Sequence, residues 1–395
     1  MKVAYYSPLP PDRTGISEYS ELLLPALRRH VDVEVASQKS EPRAADAFVY
    51  HIGNNPEFHD WIVRALRRRP GVVVLHDFVL HHLVAGMTLG SGDGHGYLRA
   101  MEREEGLVGR MLGLALLEGR LPPIWETRPE DFPLAGEVLD AAEGLIVHSR
   151  YVEGLAREAG YAGPLWRIPH PAWAPPGGEP EQRPGSPLIG CFGNFNPSKR
   201  VPDLLAAFAR VRERLPDARL VLVGGVSARY ALPELPDGVD HVDYVDEERL
   251  WALMRAADVH VSLRYPTMGE TSGSAVRSLS LGKPLVVSDI GWFSELPDDV
   301  ALKVPLDARE VEVLAGALEL AAGHAEEMGA AARAYAQREL DVDRVAALYA
   351  AALTEAAAGD AVEDAVLREV ADAAAFVGIA PDDPLAAEVA RRIAP

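Results

Sequence analysis

The sequence predicts an α/β protein of two domains in tandem, each a parallel sheet flanked by helices. Three observations carry this. Short apolar runs alternate with longer stretches of helical periodicity; the alternation stops at a segment rich in proline and glycine and then restarts. At 395 residues, the chain is also longer than a single hydrophobic core ordinarily organises.

The first domain is expected over 1–170. It opens with a buried strand at 2–6, a helix over 17–29 and a second strand at 31–35. Apolar runs at 47–51, 72–76 and 144–148 read as further central strands, with a helix over 59–69. The alternation breaks at about 83–140, read as a helical insertion with its periodicity over 97–117 and a proline-containing stretch over 121–133. Between Pro171 and Ser186, eight of sixteen residues are proline or glycine, which marks 171–186 as the linker and expected hinge.

The second domain is expected over 187–340. Strands are read at 188–192, 218–223, 239–244, 259–263 and 284–288, with helices over 202–215, 248–257 and 273–281. Leu204, Phe208, Val211 and Leu215 share one helical face, as packing on a sheet requires. Ala-rich helices run from 310 to about 357. The remainder, 341–395, is read as C-terminal helices, including 362–376 and 385–393, the first packing back towards the first domain.

Hydrophobic residues are 48% and charged residues 25%, which is ordinary globular composition. Asp and Glu outnumber Lys and Arg by 59 to 39, and a net charge of −20 argues against a protein that coats nucleic acid or anionic lipid. One cysteine, Cys191, excludes an intramolecular disulfide and a cysteine-based zinc site. The N-terminus turns polar after a few residues and no run reaches the roughly 18 apolar residues of a membrane span, so a cytoplasmic protein is expected. The Arg64, Arg67, Arg68, Arg69 cluster and the insertion would allow a weak peripheral membrane contact, against the plainer reading that the arginines complement a helix C-terminus.

In parallel sheets, ligands bind beyond the carboxyl ends of the strands, so the strand-to-helix loops should carry the chemistry. Gly15 begins a helix after the first strand and permits close approach of a ligand, or merely turns the chain. No Gly-x-Gly-x-x-Gly follows that strand, which removes most support for a dinucleotide enzyme. His51, Asn54 and Asn55 follow the next strand; His76 and Asp77 end another. His76 is the candidate for chemistry there, against a histidine satisfied by backbone hydrogen bonds. Histidine spacing completes no recognisable metal site, so no metal is expected.

In the second half, Gly193, Asn194, Lys199 and Arg200 lie in one strand-to-helix loop, and paired cations beside a glycine turn suit a diphosphate. The spacing is not that of a P-loop. In the next candidate loop Glu270, Thr271, Ser272, Gly273 and Ser274 precede or open a helix that Gly282 closes. Small residues at a helix start let amides reach phosphate, while Glu270 would accept bonds from hydroxyls attached to it. A sugar diphosphate meets both demands.

Gly193 six residues before Lys199, Leu-Val-Leu-Val-Gly-Gly at 220–225, Glu270-x2-Gly273, Gly282-Lys283-Pro284 and Gly291-x3-Glu295 together resemble the retaining group-1 type glycosyltransferases of GT-B fold. The resemblance covers 2 to about 356. It implies two Rossmann-like domains facing across a cleft, a nucleoside diphosphate sugar in the second and an acceptor in the first. It further implies that Lys199 holds the diphosphate, that Glu270 contacts the donor sugar, that amides around Ser272 and Ser274 complete the phosphate site, and that Gly15 and His76 act near the transferred sugar. Two positions depart from the pattern: Asn194 stands where a basic partner is usual, and Ser278 replaces the second glutamate of Glu-x7-Glu, at the position expected to face the ribose.

The resulting expectation is a metal-independent hexosyltransferase with catalytic residues Glu270, Lys199 and His76, no cofactor beyond the donor, an unidentified glycan, lipid-linked or small-molecule acceptor, and no nucleic-acid partner. The alternatives are a nucleotide-sugar epimerase of the same architecture and a degenerate, non-catalytic scaffold.

Overall fold

The computed structural model describes residues 1–376 and Ile379. It divides into two compact units: Met1–Ile168 with the chain from Ala346 onward, and Pro169–Val345. The stretch 385–393, read as helical from sequence, lies outside the described residues.

The first unit is a six-stranded parallel sheet: β1 (Lys2–Tyr6), β2 (Asp32–Val35), β3 (Ala47–Ile52), β4 (Gly71–Leu75), β5 (Ala142–Val147) and β6 (Leu165–Arg167), in spatial order β2-β1-β3-β4-β5-β6. The valine-rich β4 is buried at every residue, as a central strand covered on both faces must be. The chain reverses direction across the sheet between β1 and β3, so the loops leaving those strands open beside each other. Sequence reading missed β6, whose Leu165, Trp166 and Arg167 are too few to show a pattern. Helix Gly94–Leu117 is two arms: Gly106 (φ 59°, ψ −147°) turns the chain, and Gly109 and Gly113 let the second arm lie on Met101 and Leu98 of the first. Leu107, Val108 and Met111 of the second arm are exposed.

The expected basic patch is not free. Arg64 pairs with Asp60, Arg67 with Glu137 and Arg68 with Glu41, each at 2.5–2.6 Å, while Arg69 bonds the Pro42 and Arg43 carbonyls.

The second unit is also six-stranded and parallel: β7 (Leu188–Phe192), β8 (Arg219–Val223), β9 (Val239–Val242), β10 (Val259–Ser262), β11 (Leu285–Ser288) and β12 (Ala301–Val304), in order β12-β11-β10-β7-β8-β9. Its switch point falls between β7 and β10, which places the loops carrying Lys199 and Glu270 side by side. Leu204, Phe208 and Val211 of helix Val201–Arg214 are buried on β7 and β8, with Leu215 packed at the margin. Strand β12 was not read from sequence; it is half-exposed at an edge and interrupted by Lys303.

The segment 171–186 has no regular element, but it is not a free hinge. Ala172 donates to Leu340 O, Glu181 to Ala252 O and Ser186 to Asp217 O, and the Glu181 carboxylate pairs with Arg249, so the segment is strapped along the second unit. Helix Val342–Ala358 passes from one unit into the other; within the first unit its Tyr349 is fully buried with its hydroxyl 2.6 Å from that of Tyr19.

Candidate active site

In the second unit, β7 ends at Phe192 and the chain turns at Gly193 (φ 113°), a backbone conformation that L side chains rarely adopt. Lys199 closes the short helical turn that follows and folds back over Gly193: its Nζ donates to Phe192 O at 3.1 Å and would stand 3.3 Å from a Cβ at 193, with Ser274 Oγ at 3.9 Å from the same point. The side chain is only 4% exposed. Burial, and then the Arg264 guanidinium, lower its pKa to about 8.

Arg264 follows β10 and was not singled out in the sequence. Its Nη1 donates to Ser198 Oγ at 3.0 Å, and its Nε lies 2.9 Å from Glu270 Oε1. Glu270 Oε2 accepts from Thr267 Oγ1 at 3.0 Å and from the Met268 amide at 2.7 Å. Both Glu270 oxygens are thus engaged, and the carboxylate clasps its own loop while keeping acceptor capacity. Ser272 caps helix Gly273–Leu281, accepting from Ala275 N, and lies 3.1 Å from Ser274 Oγ. Thr271 Oγ1 is buried and has no hydrogen-bond partner among the described residues. Two cations, one carboxylate and a helix N-terminus therefore meet at the switch point, a net positive site in a chain of charge −20.

Residues 186–321 match the family model for glycosyl transferases group 1. They are a group 1 glycosyl transferase domain. The two-unit chain as a whole has the GT-B fold, similar to sucrose-phosphate synthase from Thermosynechococcus elongatus (TM-score 0.57, 19% identity, 88% of this chain and 97% of that one). It is also similar to Anabaena HepE in complex with UDP and glucose (TM-score 0.55, 16% identity, 90% and 100%). A third likeness is to WaaG, a glycosyltransferase involved in lipopolysaccharide biosynthesis (TM-score 0.50, 17% identity, 90% and 100%). No curated protein matches the sequence.

Within the glycosyl transferase domain two expected donor contacts fall elsewhere. Arg200 (φ 51°) turns its guanidinium onto Glu310, with bonds of 2.6 and 2.5 Å, and onto Asp203 at 3.2 Å. It neutralises a buried carboxylate and is not the second cation of the loop; Arg264 occupies that part. Ser278 is 2% exposed, with its Oγ 2.6 Å from His260 Nδ1. Because His260 Nε2 donates to Met254 O, Nδ1 is an acceptor, and the single Ser278 proton is shared between it and Ser274 O at 2.9 Å, which commits the hydroxyl to the core beneath the helix. Asn194 is exposed and donates to Ser227 Oγ. The neighbouring Arg277 lies over the Trp173 ring at 3.7 Å.

The expected residues of the first unit gather at the strand ends but differ in access. Gly15 is the first residue of helix Gly15–Leu27, with open space where its Cβ would be. His76 is 8% exposed. His51 is fully buried and cannot touch an acceptor, contrary to expectation. Asn55 is exposed but serves as the cap of helix Pro56–Arg68, accepting from Glu57 N. Asn54 accepts from Leu83 N and its own amide donates to Asp77 Oδ2 at 2.8 Å, so Asn54 and Asp77 pin two loops together. Sequence reasoning missed His148 and Tyr19, which pack on His76; the strand-end position of His148 was the available signal.

Proposed function

We propose that the protein is a retaining glycosyltransferase that moves a hexose-like sugar from a nucleoside diphosphate to an acceptor hydroxyl, in the making of a glycan or glycolipid. The observation that carries this reading is the Lys199 ammonium, buried beside the Arg264 guanidinium at the start of helix Gly273–Leu281. Like charges held together out of water are costly, and a dianion that accepts bonds from both relieves the cost.

In the proposed reaction the C1–O bond to the diphosphate breaks with its electron pair leaving on phosphate. The acceptor oxygen bonds to C1 and gives its proton to the departing phosphate oxygen. The transition state carries oxocarbenium character, so the main electrostatic task is to stabilise the leaving group. Lys199, Arg264 and the amides after Ser272 do this from the chain's own atoms. Glu270 sets the direction of Arg264. The first unit takes the acceptor, with His76 its candidate for the chemistry, and the single buried cysteine suits a reducing compartment.

The HepE structure holds UDP and glucose, which makes UDP-glucose the first donor to test. Incubation with a set of nucleotide sugars, with and without candidate acceptors, should release the nucleoside diphosphate only when both substrates are present. Conversion of the donor without acceptor would point to epimerisation, and calorimetry showing no binding of any nucleoside diphosphate would overturn the reading.

A further inference from the structure

Three histidines end neighbouring strands of the first unit: His51 within β3, His76 directly after β4 and His148 directly after β5. The His51 and His76 ring centroids are 5.2 Å apart with planes at 29°, and those of His76 and His148 are 5.1 Å apart. Tyrosines wall the group. Tyr5 lies 4.5 Å from His51, Tyr19 stands edge-on to His76 at 4.7 Å, and Tyr349 lies parallel to His51 at 6.3 Å. Only His76 among the three ends β4, at the middle of the sheet, and its Nε2 points inward to His51 Nδ1 at 2.9 Å.

We infer that His51 is a positioning residue that donates from Nδ1 to Nε2 of His76 and so fixes His76 as the tautomer protonated on Nδ1. The choice of direction follows from the other end of the His51 ring. Its Nε2 is buried and has no hydrogen-bond partner among the described residues. If His76 donated to His51, a neutral His51 would carry its proton on Nε2 and leave a buried N–H without an acceptor. Orphaned donors are rarer in proteins than under-used acceptors. With the proton on Nδ1 of His51, the orphan is a bare lone pair, and His76 Nε2 is the acceptor.

Burial, and then His148 and His59, hold the His51 pKa well below the usual imidazole range. Among the described residues, the titratable groups around the pair include Tyr5, Tyr19, Tyr349, His59 and His148; burial raises the tyrosines and holds His59 and His148 down at about 4. His59 Nδ1 donates to His51 O at 3.2 Å and His148 Nδ1 to Ile168 O at 2.8 Å, so both backbone contacts fix tautomers without adding charge. With Nε2 the acceptor, His76 carries its proton on Nδ1. It does not serve as a proton-accepting base there, because its basic nitrogen is the one held by His51.

The effect on turnover rests on the proposed part of His76 in sugar transfer; the tautomer does not. Long-range proton–nitrogen spectra of the ¹⁵N-histidine-labelled full chain should show His76 as a single Nδ1–H tautomer. His51→Phe keeps a ring beside Tyr5 and removes the donor, so the His76 Nε2 resonance should move to the position of an unbonded imidazole nitrogen. His51→Asn, whose amide reaches the place of Nδ1, should restore it. In turnover, His51→Phe should lower kcat about tenfold with KM unchanged, and His51→Asn should recover most of it. An Nε2–H tautomer of His76 in the unaltered protein overturns the inference, as does a His76 Nε2 resonance unmoved in folded His51→Phe. If His51→Phe does not fold, the spectrum of the unaltered protein decides alone. Absence of transfer by the unaltered protein would count against the proposed function, while the same spectra still decide the tautomer.

Discussion

The Arg264 guanidinium and the Glu270 carboxylate, 2.9 Å apart and each at least four-fifths buried, close the loop between β10 and helix Gly273–Leu281. The pair leaves Arg264 near enough to lower the Lys199 pKa, with N–H groups to spare beyond its bonds to Glu270 and Ser198. Arg264→Ala should weaken binding of a nucleoside diphosphate by about 1.5–3 kcal/mol, the scale of a charge-assisted bond, and leave the nucleoside almost unaffected. Calorimetry with UDP and uridine checks this. Equal losses for both would reduce the pair to a loop clasp.

Lys199 makes that binding sensitive to pH. Its ammonium has a pKa of about 8 in the ligand-free site, and a bound diphosphate favours the charged form. Affinity should hold between pH 7 and 7.5 and fall as pH rises through about 8, approaching tenfold per unit beyond it. Lys199→Ala should bind weakly at every pH in the range, with no such inflection.

Ser278→Glu tests whether this position reads the ribose. The side chain is held at His260 inside the core, so a glutamate would bury a carboxylate in place of a hydroxyl, at a cost of about 3 kcal/mol. Ser278→Ala should cost about 1 kcal/mol. Urea unfolding of both variants measures the difference. A stable Ser278→Glu protein that discriminates ribose from deoxyribose better than the parent would return this residue to the donor site.

The buried histidines should make the protein sensitive to acid. His148 has a folded pKa of about 4, below its ordinary 6.5. The unfolded chain therefore takes up this proton first, and the stability it contributes is complete above about 6.5 and lost as pH falls towards 4. At pH 5 the loss from this one group is about 2 kcal/mol. His148→Asn retains a donor for Ile168 O and does not titrate, so denaturation at pH 7 and pH 5 should show a smaller difference than in the parent.

What the sequence determined by itself was the architecture and the loops that matter. Strands such as 71–75 and 188–192 bury both faces, so every residue is apolar and the run is visible without partners. Gly193, Ser272 and Gly282 mark turns and caps by chemistry confined to a few neighbouring residues. The folded structure decided which side chains in those loops face one another. Arg200 looked like the second cation because it is adjacent to Lys199, yet Glu310, 110 positions later, captures it. Arg264 replaces it because β7 and β10 are neighbours in the sheet, a pairing that no local pattern encodes. Ser278 and His51 were drawn towards ligands by spacing, and their placement in the core depends on His260 and on the tyrosines around His51. Local propensity acts over a few residues and is written in order along the chain, whereas the direction and partner of a polar side chain are settled by whichever charge or donor the tertiary packing brings within about 3 Å.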